Sequence, residues 1–181
     1  GDGYENEVCA MAVDLDCNIY IAGSTTNRND HADMVTFKLD KNGKLIWQTR
    51  FDGPGHFDDE ANTIAVDAAG NVYVAGSSMQ PLWDMMPKMT TIKYDSFGNQ
   101  QWVAEYKVYN HYSDADDIVI DSDNNIIVTG LGHSIKSQND IITCKYEGDT
   151  GKELWRVIHD GGAGWNDLGY YVCVDSQNDI I

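Results

Sequence analysis

The sequence predicts an all-β fold in which a unit of four short strands recurs about every 54 residues. Three sets of regularly spaced residues support this prediction. An aspartate closes each first strand, at spacings of 53, 54 and 54 residues: Asp14, Asp67, Asp121 and Asp175. A glycine closes each of three second strands, and a tryptophan lies in each of three fourth strands: Gly23, Gly76, Gly130, Trp47, Trp102 and Trp155. Four strands at this period are the signature of a β-propeller blade.

The second unit shows the predicted elements most clearly. Its first strand is TIAVD, and a tight turn at 67–71 leads into the second strand, VYVAG. A long crossing then reaches TTIKYD, and a second tight turn at 95–99 leads into QQWVAEY. Aspartate followed by Gly-Asn between two β-branched runs predicts a hairpin, because glycine and asparagine accept the positive φ of a tight turn.

The strands of one unit differ in the faces that they bury. Second strands such as IYIAG, VYVAG and IIVTG are apolar on both faces, as expected for strands between neighbouring blades. Third strands alternate, and their polar face carries Lys38, Lys93 and Lys145, which we interpret as structural cover for the outer flank. We interpret the recurring tryptophans as blade-to-blade packing.

The repeat predicts one partial β-propeller over residues 1–181, with about three and a half blades. Blade 1 is expected at about 8–60, blade 2 at 61–114 and blade 3 at 115–167, with the start of a fourth blade at 168–181. Propellers close with about four to eight blades, so this number leaves an open edge at each end. We expect the rest of the ring to come from the same longer polypeptide, consistent with a chain that begins at glycine, or from a second copy.

Composition limits the partners. The chain has 12 Lys and Arg against 29 Asp and Glu, a net charge of −17, which disfavours nucleic acid. It has no apolar run of membrane-spanning length, so no membrane insertion is expected. The acidic, turn-rich composition favours an extracellular or cell-surface location. The four cysteines occupy non-equivalent positions and are interpreted as separate thiols.

Loop length predicts where a ligand would bind. The turns between first and second and between third and fourth strands are short and share one rim, the short-turn rim. The crossings (24–33, 77–89, 131–140) and the blade junctions (52–60, 106–114, 158–167) are long and share the opposite rim, the long-loop rim. Irregular loops on a rigid scaffold commonly carry binding residues. All five histidines fall on this rim, and His56, His111, Trp83 and Trp165 are candidate ligand-binding residues.

An acidic residue stands before each predicted first strand, preceded by another polar residue. The acids are Glu7, Glu60, Asp114 and Asp167, and the polar residues are Asn6, Asp59, Ser113 and Asn166. First strands are innermost in a propeller, so these side chains are expected to ring the channel mouth. Their oxygens could hold Ca²⁺ or accept hydrogen bonds from sugar hydroxyls, or each acid could cap backbone N–H groups at its own junction. The candidate ligand-binding residues here are Glu7, Glu60, Asp114, Asp167, Asp59 and Asn166.

Two stretches of the second unit resemble a known family. Asp59-Glu60-Ala61 through Ser78, and Thr91 through Trp102, resemble the SBBP repeat of seven-bladed β-propellers, and the resemblance extends over essentially the whole chain. It implies a propeller fold, and such repeats occur mainly in bacterial and archaeal surface or secreted proteins without assigned chemistry. A weaker similarity of 149–155 to the tryptophan-docking motif of quinoprotein propellers implies packing rather than a quinone site.

The sequence predicts a non-catalytic binding or scaffold module whose ligand is a glycan, a protein or a divalent cation. HExxH, GxSxG, P-loop and strand-following GxGxxG motifs are absent from the sequence. The turn Asp14-x-Asp16-x-Asn18 lacks the glycine and distal glutamate of a calcium loop and is interpreted as turn chemistry. Two alternatives stay open: a propeller enzyme, hydrolase, lyase or quinoprotein-like, with its site at the channel mouth, and an architectural repeat of a surface layer or filament. No cofactor is expected beyond Ca²⁺.

Overall fold

The computed structural model describes residues 6–26, 31–81, 84–106, 111–133, 139–162 and 167–181, and its regular structure is entirely β-strand. In these residues the strands form three four-stranded antiparallel sheets, each a meander in chain order. The first sheet contains β1 (Asn6–Val13), β2 (Ile19–Thr26), β3 (Ala32–Leu39) and β4 (Leu45–Phe51). The second contains β5 (Asp59–Val66), β6 (Val72–Met79), β7 (Pro87–Tyr94) and β8 (Gln100–Glu105). The third contains β9 (Ser113–Ile120), β10 (Ile126–His133), β11 (Asn139–Tyr146) and β12 (Glu153–His159).

We call these sheets blades 1, 2 and 3. The first strands β1, β5 and β9 contact one another in succession, whereas the fourth strands of adjacent blades make no comparable contact. The sheets therefore fan out from their first strands, and in the described residues they do not close into a ring. The predicted all-β, partial β-propeller fold is confirmed. No helix in the described part of the chain is long and apolar enough to cross a membrane.

The core of the molecule lies between the blades. One buried cluster joins Tyr20 and Met34 of blade 1 to Val72 and Val74 of blade 2. A second cluster joins blade 2 to blade 3 in the same way. Strand β6 serves both, because alternate residues point to opposite faces and Tyr73 packs toward blade 3. This confirms the prediction that second strands are apolar on both faces because both are covered.

Aspartate side chains hold the turns between first and second strands. The Oδ1 of Asp14 accepts hydrogen bonds from the backbone N–H groups of Asp16 and Asn18, both 2.9 Å long. The same bonds form at the three equivalent aspartates: Asp67, Asp121 and Asp175. The predicted turn chemistry is thereby confirmed. Each turn also needs one residue at positive φ, and these residues are Cys17, Gly70, Asn124 and Asn178.

The recurring tryptophans dock each blade onto the next. The indole of Trp47 donates a 3.0 Å hydrogen bond to the carbonyl of Ser96, and Trp102 donates an equal one to Gly148. Each indole also lies against a glycine of the next blade, Gly98 or Gly151, both at positive φ. The interpretation of the tryptophans as blade packing is confirmed.

The third-strand lysines are structural as well. Lys93 donates a 2.8 Å hydrogen bond to the carbonyl of Gly148, and Lys145 pairs with Asp121 at 2.7 Å. Lys38 lies over the ring of Tyr20. All four cysteines are free, as predicted, and Cys144 is buried.

Each first strand contains a β-bulge at the same place. The extra residues are Cys9, Asn62 and Asp116. Beside each bulge the backbone of the second strand approaches so closely that a Cβ on Gly76 would lie 2.0 Å from the carbonyl oxygen of Glu60. Gly23 and Gly130 occupy the equivalent positions with the same close approach. The prediction that these glycines close the second strands is wrong, because the strands continue past them and the glycines instead admit the bulge.

Residues 167–181 begin a fourth unit on the far side of blade 3. Val174 and Ile180 form a β-bridge around the turn that starts at Asp175. The backbone N–H of Val172 donates to the Oδ2 of Asp117 at 2.9 Å, and Ser122 N–H donates to Asn178 at 3.0 Å. The fourth unit therefore lies against blade 3, joined to it by these hydrogen bonds.

Docking of tryptophan on glycine gives a prediction with a matched control. Gly98 and Gly43 occupy equivalent turns at φ of +86° and +80°, but a Cβ on Gly98 would lie 2.9 Å from the Trp47 ring, whereas one on Gly43 would meet nothing within 4 Å. Gly43→Ala should cost about 1 kcal/mol from backbone strain alone. Gly98→Ala should cost a further 1–3 kcal/mol, roughly, from overpacking. Chemical denaturation measures both, and equal losses would contradict docking on Gly98.

Candidate functional site

The two predicted rims are present. On the long-loop rim the crossing and the junction of adjacent blades meet, because the backbone N–H of Met79 donates to Asp58 O at 3.0 Å. The backbone N–H of His133 likewise donates to Tyr112 O at 3.0 Å. The short turns meet on the opposite rim through the tryptophan contacts described above. In blades 2 and 3, the start of the crossing therefore lies beside the end of the junction that precedes the first strand.

Glu7, Glu60 and Asp114 form a row on this rim, and we call it the mouth row. They lie inside β1, β5 and β9 rather than before them, because these strands begin one residue earlier than each acid. Burial raises the pKa of Glu60, and the charges of Asp114, Asp58 and Glu7 raise it further. The predicted grouping of these three acids on innermost strands is present.

The three carboxylates of the mouth row differ in how they are held. Asp114 accepts a 2.9 Å hydrogen bond from the Asn62 side chain and a 3.0 Å bond from the hydroxyl of Tyr112. Burial also raises the pKa of Asp114. Neither Glu7 nor Glu60 forms a side-chain hydrogen bond with a described residue. The row therefore combines one fixed carboxylate with two that can turn toward a ligand.

A cleft lies beside the mouth row between blades 1 and 2. It has a volume of about 130 Å³ and is lined by Glu7, Ser24, Thr26, Ala32 and Glu60. A larger cleft of about 360 Å³ lies on the short-turn rim beside Asp14 and Asp67. The carboxylates of these two aspartates already hold their turns, so the larger cleft offers fewer uncommitted donor or acceptor groups than its size suggests.

The sequence reasoning missed Asp116, which is the bulge residue of blade 3. Its Oδ2 is buried and accepts no hydrogen bond from a described residue. Burial raises the pKa of Asp116 to about 6, and the charges of Asp114 and Asp117 add to the shift. The equivalent residue of blade 2 is Asn62, whose side chain donates hydrogen bonds to Asp114 and Ala115 of the next blade. Aligning the repeats by their turn aspartates places Asp116 at this position, and that alignment is the signal that could have found it.

Asp167 and Asp59 do not belong to the mouth row. Asp167 lies eight residues before Asp175, as Asp59 lies eight before Asp67, whereas Glu60 lies seven before Asp67. The structure supports this register, because Asp59 accepts a 2.6 Å bond from Gly53 N–H and Asp167 accepts the same bond from Gly161 N–H. The prediction that Asp167 is the fourth member of the row is therefore wrong by one residue, and the equivalent of Glu60 is Leu168.

Asp59 and Asp167 instead each join two other aspartates at a blade junction. The first junction triad is Asp33, Asp52 and Asp59, and the second is Asp140, Asp160 and Asp167. One carboxylate oxygen of each member lies within 4.8 Å of the others. Burial raises the pKa of Asp59 to about 6. The sequence reasoning found one member of each triad, Asp59 or Asp167, and missed the other two, one seven residues earlier in the chain and one on the third strand of the preceding blade.

The remaining predicted site residues are scattered. The Nδ1 of His56 lies 3.0 Å from Asp52 Oδ1, beside the first junction triad. His111 stacks on His133 at a centroid distance of 5.9 Å, and its carbonyl accepts a bond from Lys88. Trp83, Trp165 and Asn166 lie outside the described residues.

These features define the class of protein: an all-β chain whose four-stranded antiparallel sheets stack as consecutive blades of an incomplete β-propeller. Within that class, residues 54–79 match the SBBP family model, which describes a beta-propeller repeat. This segment runs from the first blade junction to the end of β6, and it confirms the resemblance noted in the sequence. No curated protein is significantly similar to the chain.

The raised pKa of Asp116 predicts pH-dependent stability. Between its ordinary pKa of 3.8 and about 6 the folded state binds more protons than the unfolded state, so stability falls as pH rises through this window. Asp116→Asn should therefore raise the free energy of unfolding above pH 6 by about 1 kcal/mol, after allowance for solvent screening. Below pH 4 the gain should vanish, because the aspartate is then protonated. Denaturation of both proteins at several pH values measures this, and an equal gain at every pH would contradict it.

Proposed function

We propose that the chain is a non-catalytic binding module of a secreted or cell-surface protein, with its ligand held at the mouth row. The observation that carries this proposal is the position of Glu7, Glu60 and Asp114 on consecutive innermost strands, where burial, and then the charges of Asp114 and Glu7, raise the pKa of Glu60. Because the strands fix the backbone positions of these acids before binding, little backbone entropy is lost when a ligand binds. The adjacent cleft gives the ligand room to enter beside Glu7 and Glu60.

The ligand that this row suits best is a positively charged segment of a protein. Carboxylates form their strongest hydrogen bonds with ammonium and guanidinium groups. The net charge of −17 would also steer a basic partner toward the molecule at long range. A neutral glycan would gain only hydrogen bonds from the same oxygens.

We also propose that a further blade covers the open face of blade 1. Val8 and Met11 on that face are 70% and 65% exposed, whereas the equivalent Ala61 and Ile64 of blade 2 are 0% and 8% exposed. Blade 1 thus carries the same apolar stacking face as blade 2 without a described neighbour on it. The covering blade would come from the same polypeptide or from a second copy.

The mouth row is tested by a matched pair of charge-neutralising variants. Glu60→Gln should weaken binding of a fluorescent oligolysine peptide by about tenfold, the cost of one charge-assisted hydrogen bond. Asp16→Asn removes the same charge from the short-turn rim and should change affinity far less. Fluorescence anisotropy at two salt concentrations measures both. If Glu60→Gln and Asp16→Asn weakened binding equally, the peptide would be held by the overall negative charge and not by the mouth row. If the chain bound neutral oligosaccharides and no peptide, the proposed ligand class would be wrong.

The open face of blade 1 is tested by association of the 181-residue chain. If a second copy covers it, sedimentation velocity should show a dimer that Met11→Lys dissociates. Leu15→Lys is the control, because Leu15 is 94% exposed in a turn and not on the stacking face. A monomer at every concentration would exclude the second copy, and dissociation by both variants would contradict the proposed face.

A further inference from the structure

The two junction triads repeat one arrangement. Asp33 and Asp140 occupy the same position of the third strand. Asp33 pairs with Thr25, two residues after Gly23, and Asp140 pairs with Gly132, two residues after Gly130. Asp52 and Asp160 each follow the fourth strand directly. Asp59 and Asp167 each begin the next unit and accept a hydrogen bond from a glycine six residues earlier. Each triad therefore joins the outer part of one blade to the first strand of the next.

The first junction triad has the dimensions of a coordination shell. Asp33 and Asp59 are 0% exposed, and Asp52 is open to solvent. Their donor oxygens lie within 4.8 Å of one another. Oxygens that share one cation at metal–ligand distances of about 2.0–2.6 Å lie within about 5 Å of one another, as these three do. We favour Ca²⁺ because it accepts several carboxylates in a flexible geometry, whereas Mg²⁺ demands a near-ideal octahedron and keeps most of its waters. Asp52 would be the entrance.

A separate observation also points to a ligand at this place. The Oδ1 of Asp59 is buried and has no hydrogen-bond partner at standard distance and angle among the described residues; the buried Ser78 hydroxyl beside it, which favours the charged form of Asp59, also lacks such a partner. Both oxygens face Gly53, where a Cβ would lie 2.2 Å from Ser78 Oγ and 2.6 Å from Asp59 Oδ1. A buried carboxylate oxygen without a partner is costly, and a cation beside it removes that cost.

At the middle junction, between blades 2 and 3, a lysine of the chain supplies positive charge at the position equivalent to Asp33. There the equivalent of Asp33 is Lys88, which pairs with Ser78 as Asp33 pairs with Thr25, and the equivalent of Asp59 is Ser113. The Lys88 side chain is 2% exposed. Its ammonium lies 3.2 Å from Asp84 and donates a 2.7 Å bond to the carbonyl of His111. A fixed cation therefore stands at the junction that lacks the acids.

Charge at the first junction triad leaves room for a divalent ion. Arg50 contacts the Oδ2 of Asp33 and offsets one of the three negative charges. His56 reaches Asp52 from the solvent side, and its ring is largely exposed. Two negative charges then stay uncompensated among these groups, which is the charge that one Ca²⁺ ion balances.

We propose that Asp33, Asp52 and Asp59 bind Ca²⁺ at the junction of blades 1 and 2. The ion ties the third and fourth strands of one blade to the first strand of the next. Its role is to hold consecutive blades together, as Lys88 does at the middle junction. This site is separate from the mouth row, so either proposal can fail alone.

The experiment compares Ca²⁺ binding and thermal stability after treatment with a chelator. The 181-residue chain should bind Ca²⁺ by calorimetry and melt at a higher temperature in about 5 mM Ca²⁺, above the affinity range of extracellular sites. Asp59→Asn should bind one Ca²⁺ ion fewer than the parent chain. In chelator it should melt no lower than the parent chain, because it removes a buried charge that no ion then compensates.

Loss of bound Ca²⁺ together with unchanged melting in chelator distinguishes a metal ligand from a residue that only supports the loop. If Asp59 only supported the loop, Asp59→Asn would lower the melting temperature equally in Ca²⁺ and in chelator, and that result would overturn the proposal. Asp16→Asn is the control, since it removes one charge from an exposed turn and should leave Ca²⁺ binding unchanged. An equal thermal shift with Mg²⁺ would indicate charge screening and would also overturn the proposal, as would unchanged Ca²⁺ binding by Asp59→Asn.

Discussion

The structure depends on face-to-face contact between blades, because each blade is a sheet with two apolar faces. Strand β6 is buried on both sides and contributes Val72 and Val74 to one core and Tyr73 to the other. Such a sheet cannot be stable alone, since both of its apolar faces would then face water. The tryptophan contacts fix how the faces meet. The indole of Trp102 reaches past its own sheet to the carbonyl of Gly148, so the hydrogen bond sets the spacing and angle of two sheets at once.

The same repeat builds the functional rim through a local distortion of the first strand. Each bulge follows a mouth-row acid by two residues, at Cys9, Asn62 and Asp116. A bulge lets the strand bend where it approaches the mouth, and a glycine in the second strand leaves space for the displaced carbonyl. In blade 2 the bulge residue also reaches the next blade, where Asn62 bonds to Asp114. Scaffold and site thus share one backbone feature, which explains why the glycine recurs with the acid.

The sequence carried most of the fold and only part of the site. Turns were predictable because Asp67 and Gly70 act on residues within four positions of them. Strand ends were not, because strands continue past the glycines that look like terminators. The first junction triad gathers residues 33, 52 and 59, whose proximity depends on the packing of two blades. Local patterns do not encode that proximity. The one-residue error at Asp167 is different, because the sequence does contain the correct register: Asp167 lies eight residues before Asp175, whereas Glu60 lies seven before Asp67.

All three blade junctions require positive charge near buried oxygens, and each has a different set of side chains there. Where the third strand of one blade meets the first strand of the next, buried oxygens converge, and they need positive charge nearby. At the middle junction the Lys88 ammonium supplies this charge, so no ion from solution is required there. The outer junctions carry aspartates at that position, and at the first of them Arg50 offsets only part of their charge. In an acidic chain with few lysines and arginines, the cation proposed for the first junction would add positive charge there, and it would make the stacking of those blades depend on the solution around them.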